Sequence, residues 1–152
     1  MKKIIMFLLM ILLLLVISIS ITFFPFIPEW FDKFRLFYNC SLIGGLGGVF
    51  YCLRSVYVNY SVKKNWDIDW ELWYYIRPIV SIISGSASFI FLKAGLLILE
   101  SQETQNSTHY GFLAVAFIAG YNVDKFMKRI ENIAESTWGV AKSNVSKEGD
   151  SK

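Results

Sequence analysis

In a chain of 152 residues, 55% are apolar and 18% charged, proportions that exclude an ordinary water-soluble domain of this size. The formal net charge of +3 is small, and the basic residues adjoin apolar stretches. No basic stripe with interleaved stacking residues occurs in a polar segment, so nucleic acid is not an expected partner.

Residues 4–24 contain no charged side chain, and some 20 helical residues match a hydrocarbon core of ~30 Å. Lys2, Lys3 and the triplet Ser18-Ile19-Ser20 also resemble a secretory signal peptide. The apolar run continues beyond that triplet to Phe24, longer than a signal core, so an uncleaved first span is expected. Pro25 and Pro28 should end it, because proline cannot continue a helix without losing hydrogen bonds. Trp30, Phe31, Phe34, Phe37 and Tyr38 then form an aromatic stretch suited to a membrane interface.

The second apolar stretch, 40–60, carries only Arg54. Its small residues Ser41, Gly44, Gly45 and Gly48 fall at i, i+4 spacing, which lets helix backbones approach closely. A phosphate-cradling loop is the alternative, but no strand precedes the glycines and no Lys-Ser/Thr pair follows. Cys40 and Cys52 lie about 18 Å apart along one helix, too far for a disulfide, and are expected to be packing residues.

The next polar segment holds Trp66, Trp70 and Trp73 at helical spacing with acids between them. Either the indoles sit among headgroups or they form a docking face for a protein partner. Asp67 and Asp69 alone supply too few oxygens for a metal site.

The third stretch, 78–99, carries only Lys93 and is rich in serine, with Gly85 among Ser81, Ser84, Ser86 and Ser88. Close helix packing or a water-lined face would each use this composition. Lys93 is expected about 10 Å inside the outer end, judged from Glu100. It would snorkel outward, pair with an acid, or line a pore.

The fourth stretch, 110–124, contains Gly120 and covers about 21 Å. Helical periodicity continues through Phe126 and Ile130, so one helix running to about residue 137 and stopping at Gly139 is expected. Residues 140–152 read as a disordered tail.

Lys2 and Lys3 precede the first stretch, Lys63, Lys64 and Arg77 follow the second, and Lys125, Lys128 and Arg129 follow the fourth, while 101–109 has no Lys or Arg. By the positive-inside rule both termini are cytoplasmic. Arg54 and Asp124 each lie fourteen residues into an inward-running stretch and are expected to pair, since a charge at membrane depth requires a partner.

The fold expected is all-α: a four-helix transmembrane bundle with an interfacial aromatic loop and a cytoplasmic extension of the last helix. His109 is the only histidine and is assigned to an external loop, so no catalytic site, cofactor or metal is expected.

Arg77-Pro78, Gly85, Gly95-Leu96-Leu97, Phe117, Ala119-Gly120 and Asp124-Lys125-Phe126 resemble a pattern in small four-span bacterial membrane proteins. Among these, the membrane subunit of Kiwa-type anti-phage defence is the most specific likeness. The resemblance implies an inner-membrane protein working with a cytosolic partner. Residues and resemblance together lead to the expectation of a homo-oligomeric scaffold or sensor. Gly44, Gly45, Gly48, Gly85 and Gly120 would build the assembly, and Trp66, Trp70, Trp73, Phe126 and Ile130 would recruit the partner. The alternative is a channel or membrane-disrupting effector with the third stretch, including Lys93, lining the conduit.

Overall fold

The structure, a computed structural model, describes residues 2–22, 29–64, 70–95 and 105–140. These form α1 (Lys2–Ile21), α2 (Glu29–Tyr57), α3 (Glu71–Lys93), α4 (Gln105–Tyr121) and α5 (Val123–Trp138), with no strand among the described residues. A π-helical turn, Val58–Val62, prolongs α2. Three segments are long and apolar enough to cross a membrane: α1, Phe34–Val62 and α3. The apolar part of α4, His109–Tyr121, is shorter, about 20 Å. On α1, Met6 and Leu13 are 69% and 60% exposed, a density of outward aliphatic surface that suits lipid rather than water.

Several boundaries differ from those expected. The aromatic segment after Pro28 is no separate interfacial piece; α2 begins at Glu29 and includes it. Helix α3 begins at Glu71 and carries Pro78 in its interior, buried. The proline forfeits one backbone hydrogen bond near the helix start, while buried Tyr74, Arg77 and Ser81 hold the turns on either side. At its other end α3 stops at Lys93. Gly95 adopts φ 73°, a left-handed conformation glycine takes without penalty. Ala94 donates to the Ile90 carbonyl at 2.9 Å and Gly95 to Leu92 at 3.0 Å, closing the helix. Lys93 is therefore a terminal, exposed residue at the end of α3 rather than one about 10 Å inside a span.

His109 lies within α4, not in a loop. The single helix expected through residue 137 is broken at Asn122 (φ −119°, ψ 56°), and α5 starts anew after it. Gly139, with φ 67° and its N–H on the Glu135 carbonyl at 2.9 Å, ends α5 where expected. Trp66, residues 96–99 and the tail 141–152 lie outside the described residues.

Helix α2 occupies the centre. A Cβ on Gly44 would stand 2.6 Å from the Gly85 Cα, and one on Gly120 would overlap the Gly44 carbonyl. Gly47 meets the Phe117 backbone of α4, and Gly48 meets the Ser81 side chain of α3. Three backbones thus converge on one short stretch of α2. Gly45 faces a third neighbour, since its Cβ would come 2.7 Å from Ile82 and 3.3 Å from Leu15 of α1. Ile4, Leu8 and Leu15 of α1 complete this side against Leu42, Val49, Cys52 and Val56 of α2. Gly44, Gly45, Gly48, Gly85 and Gly120 all stand at these close approaches within one protomer.

Gly120→Val forces backbone against backbone, which no rotamer change relieves, so it should cost at least about 3 kcal/mol. Gly95→Ala meets open space and strains only its own backbone, about 1 kcal/mol. Denaturant unfolding of detergent-solubilised protein, followed by circular dichroism, should resolve that order.

Candidate functional site

The serines of α3 are occupied within the bundle. Ser81 Oγ donates to the Gly120 carbonyl at 2.9 Å, using the narrow α3–α4 gap that the glycines create. Ser41 and Ser86 hydroxyls share a hydrogen bond at 2.7 Å between α2 and α3. Ser84 and Ser88 return to their own helix, on the Val80 and Gly85 carbonyls. Such back-bonding removes the hydroxyl from any water-lined face.

One charged cluster stands apart, where α4 gives way to α5. Arg77 follows the buried face of α3, one helical turn before Ser81, and only 5% of its side chain is exposed. Its guanidinium lies 4.8 Å from the Tyr51 ring centroid and 5.0 Å from that of Trp73, so two aromatic quadrupoles take the place of water around the cation. Its Nη1 donates to Asp124 Oδ2 at 3.0 Å. Its Nε is buried with no hydrogen-bond partner. Asp124 is in the first turn of α5, where a carboxylate also meets the positive end of the helix dipole. Its side chain is 77% exposed. A buried cation is therefore tied to a carboxylate that water reaches.

The pair differs from the one expected. Asp124 engages Arg77, and Arg54 instead donates to the Tyr121 hydroxyl. Tyr121 packs edge-on against Tyr51 at 5.4 Å, so Arg54, Tyr121, Tyr51 and Arg77 form one contiguous group. Geometry explains the exchange. Because α3 begins at Glu71 rather than Pro78, Arg77 is a buried helical residue and not part of a loop. The helix break after Tyr121 then delivers Asp124 to it. A signal was present in the sequence: Arg77, Ser81 and Gly85 recur every fourth residue, extending the small face of α3 back by one turn.

Beside this cluster, Tyr74 Oη meets Ser55 Oγ at 3.1 Å and receives Asn59 Nδ2 at 3.4 Å. This links the end of α2 and its π turn to α3. Trp70 caps α3 and is exposed, with its ring edge-on to Trp73 at 6.4 Å. Trp73 itself is half-buried in the arginine cluster. Phe126 and Ile130 lie half-buried on α5, outside the hydrophobic cluster around α2. Lys93 is at the opposite end of α3, 5.6 Å over the Phe89 ring. Among the described residues, no three His, Cys, Asp or Glu side chains gather as a metal site.

A double-mutant cycle discriminates the two arginines. Arg77→Gln with Asp124→Asn should show a coupling of about 1 kcal/mol or more, limited by the exposure of Asp124. Arg54→Gln with Asp124→Asn should show almost none. Within the cycle, Asp124→Asn should destabilise more than Arg77→Gln, because it leaves a buried cation unpaired. Comparison with protein-family models, curated proteins and solved structures finds no match for this chain.

Proposed function

We propose that the chain is a scaffold or sensor subunit of a bacterial inner membrane, crossing four times with both termini cytoplasmic, which recruits a cytoplasmic protein. The observation that carries this reading is the contrast between the two parts of the molecule. The hydroxyls and glycines of α2, α3 and α4 are spent on one another, which supports a closed bundle over a conduit lined by α3. The Arg77 end, by contrast, offers an exposed Trp70, the half-buried Trp73, and α5 with Phe126 and Ile130, beginning after Asn122. Together these give a tryptophan anchor beside a helix of mixed charge, a combination favoured at protein interfaces.

Homo-oligomerisation belongs to the same proposal but needs a surface other than the glycines. The outward stripe Leu72, Ile76, Ile79, Ile83 and Ile90 on α3 is the aliphatic surface available for it. An anti-phage setting is the physiological context suggested by the resemblance of Arg77-Pro78, Gly85 and Asp124-Lys125-Phe126 to the Kiwa-type membrane subunit.

The experiment has two arms. Protein reconstituted into vesicles should release no trapped dye. In cells, a photo-cross-linking residue at Trp70 or Asn132 should capture a discrete cytoplasmic protein, whereas one at Ile83 should capture at most a second copy of this chain. Leaking vesicles, or silence at both Trp70 and Asn132, would remove the scaffold reading.

A further inference from the structure

Helix α5 is built on two chemically separate faces. At 100° per residue, Val123, Phe126, Ile130, Ile133, Ala134 and Trp138 fall within an arc of about 140°. Asp124, Lys125, Lys128, Arg129, Asn132 and Glu135 fill the remainder. Of the apolar set only Val123 is buried, while Trp138 is 60% exposed. Phe126, Ile130, Ile133 and Ala134 are half-buried, so the bundle covers this apolar face only in part.

Where α5 starts decides what can cover it. Asp124 is fastened to Arg77, which stands about 9 Å along α3 from Glu71 at 1.5 Å per residue. On the four-span topology proposed above, the root of α5 thus lies about 9 Å along α3 from its Glu71 end, near the lipid surface. A helix leaving straight outward from there would carry its apolar arc past the acyl chains into water, with Lys125, Lys128 and Arg129 all on the opposite side. A helix turned along the layer would point the charged arc to water and the apolar arc to acyl chains. The broken backbone at Asn122 permits the turn.

We propose that α5 is an interfacial helix whose apolar face lies in the lipid surface, held at its root by the Arg77–Asp124 pair. The occupant of the exposed part of this face is the same acyl layer that bathes α1. This refines the scaffold reading and rests on its four-span topology: a docking partner meets the charged arc of α5, and Phe126 and Ile130 are lipid anchors.

Nitroxide labels on single added cysteines test it. The native Cys40 and Cys52 are buried, so the labels go into the otherwise unchanged protein, with unsubstituted protein as the blank. In vesicles of phosphatidylcholine and phosphatidylglycerol, the ratio of oxygen to water-soluble nickel accessibility should be about threefold higher at Ile130→Cys and Ile133→Cys than at Asn132→Cys and Ser136→Cys. Equal ratios at all four positions mean that α5 stands in water, and low accessibility to both reagents at 130 and 133 means that protein covers the face. Either result overturns the proposal. Leu13→Cys on α1 separates this failure from that of the topology. If it reads lipid while Ile130→Cys reads water, only the arm is misassigned; if it too reads water, the membrane reading itself fails.

Discussion

The fold depends on how closely three helix backbones approach at one level of α2. Gly44 and Gly85 leave no room for a Cβ between α2 and α3, and Gly120 lies against the Gly44 carbonyl. In lipid, helices gain little from hiding apolar surface, because acyl chains are as apolar as leucine; packing and interhelical hydrogen bonds must hold the bundle. Small residues supply the first, and the short separation they create supplies the second. Ser81 reaches a backbone carbonyl on α4 only because no side chain intervenes at Gly120. The glycines and serines are thus one device, and separating them into packing residues and polar residues would miss why they share a face.

That device limits what the chain can do. A hydroxyl-rich transmembrane helix is the usual raw material for an aqueous path, yet each α3 serine has a partner within the bundle. The same geometry removes the glycines from any interface between protomers, because α2, α3 and α4 already meet there. The packing leaves free the aliphatic outside of α1 and α3 and the end of the bundle where α5 departs, the surfaces on which the proposed function rests. Arg77 belongs to both regions. It continues the internal face of α3 by one turn, yet its carboxylate partner belongs to the departing helix. Its burial between Tyr51 and Trp73 makes the attachment of α5 a condition for a stable bundle end, since an unpaired cation there would be strongly destabilising.

Much of this was legible from residue types and spacing. The helical class followed from uninterrupted apolar runs, and the packing glycines from their i, i+4 recurrence, because close approach of helices is a local steric requirement that leaves a local pattern. The stop at Gly139 likewise follows from one residue's freedom to take positive φ. Three features were not legible, for related reasons. Pro78 suggested a helix start, but proline rules out only a single hydrogen bond, and buried neighbours on both sides outweigh that loss. Lys93 was given a depth measured from Glu100, whereas Gly95 ends the helix earlier. Arg54 was matched to Asp124 by counting residues along two separate stretches. Counting fixes height along an axis but not azimuth around it, and the azimuth awards Asp124 to Arg77.

The same distinction between height and azimuth bears on α5. Its residues alternate in charge and hydropathy in a way that suits either a projecting arm or one lying flat, so sequence periodicity alone leaves both open. What decides between them is the point of departure. On the proposed topology a helix tied by its first turn to Arg77 begins near the lipid surface, and its charged side chains must still reach water from there. The non-helical backbone at Asn122 ends α4 while Asp124 stays against Arg77. On this argument the ion pair is a positional constraint before it is a source of stability: it fixes where along α3 the amphipathic helix departs from the bundle.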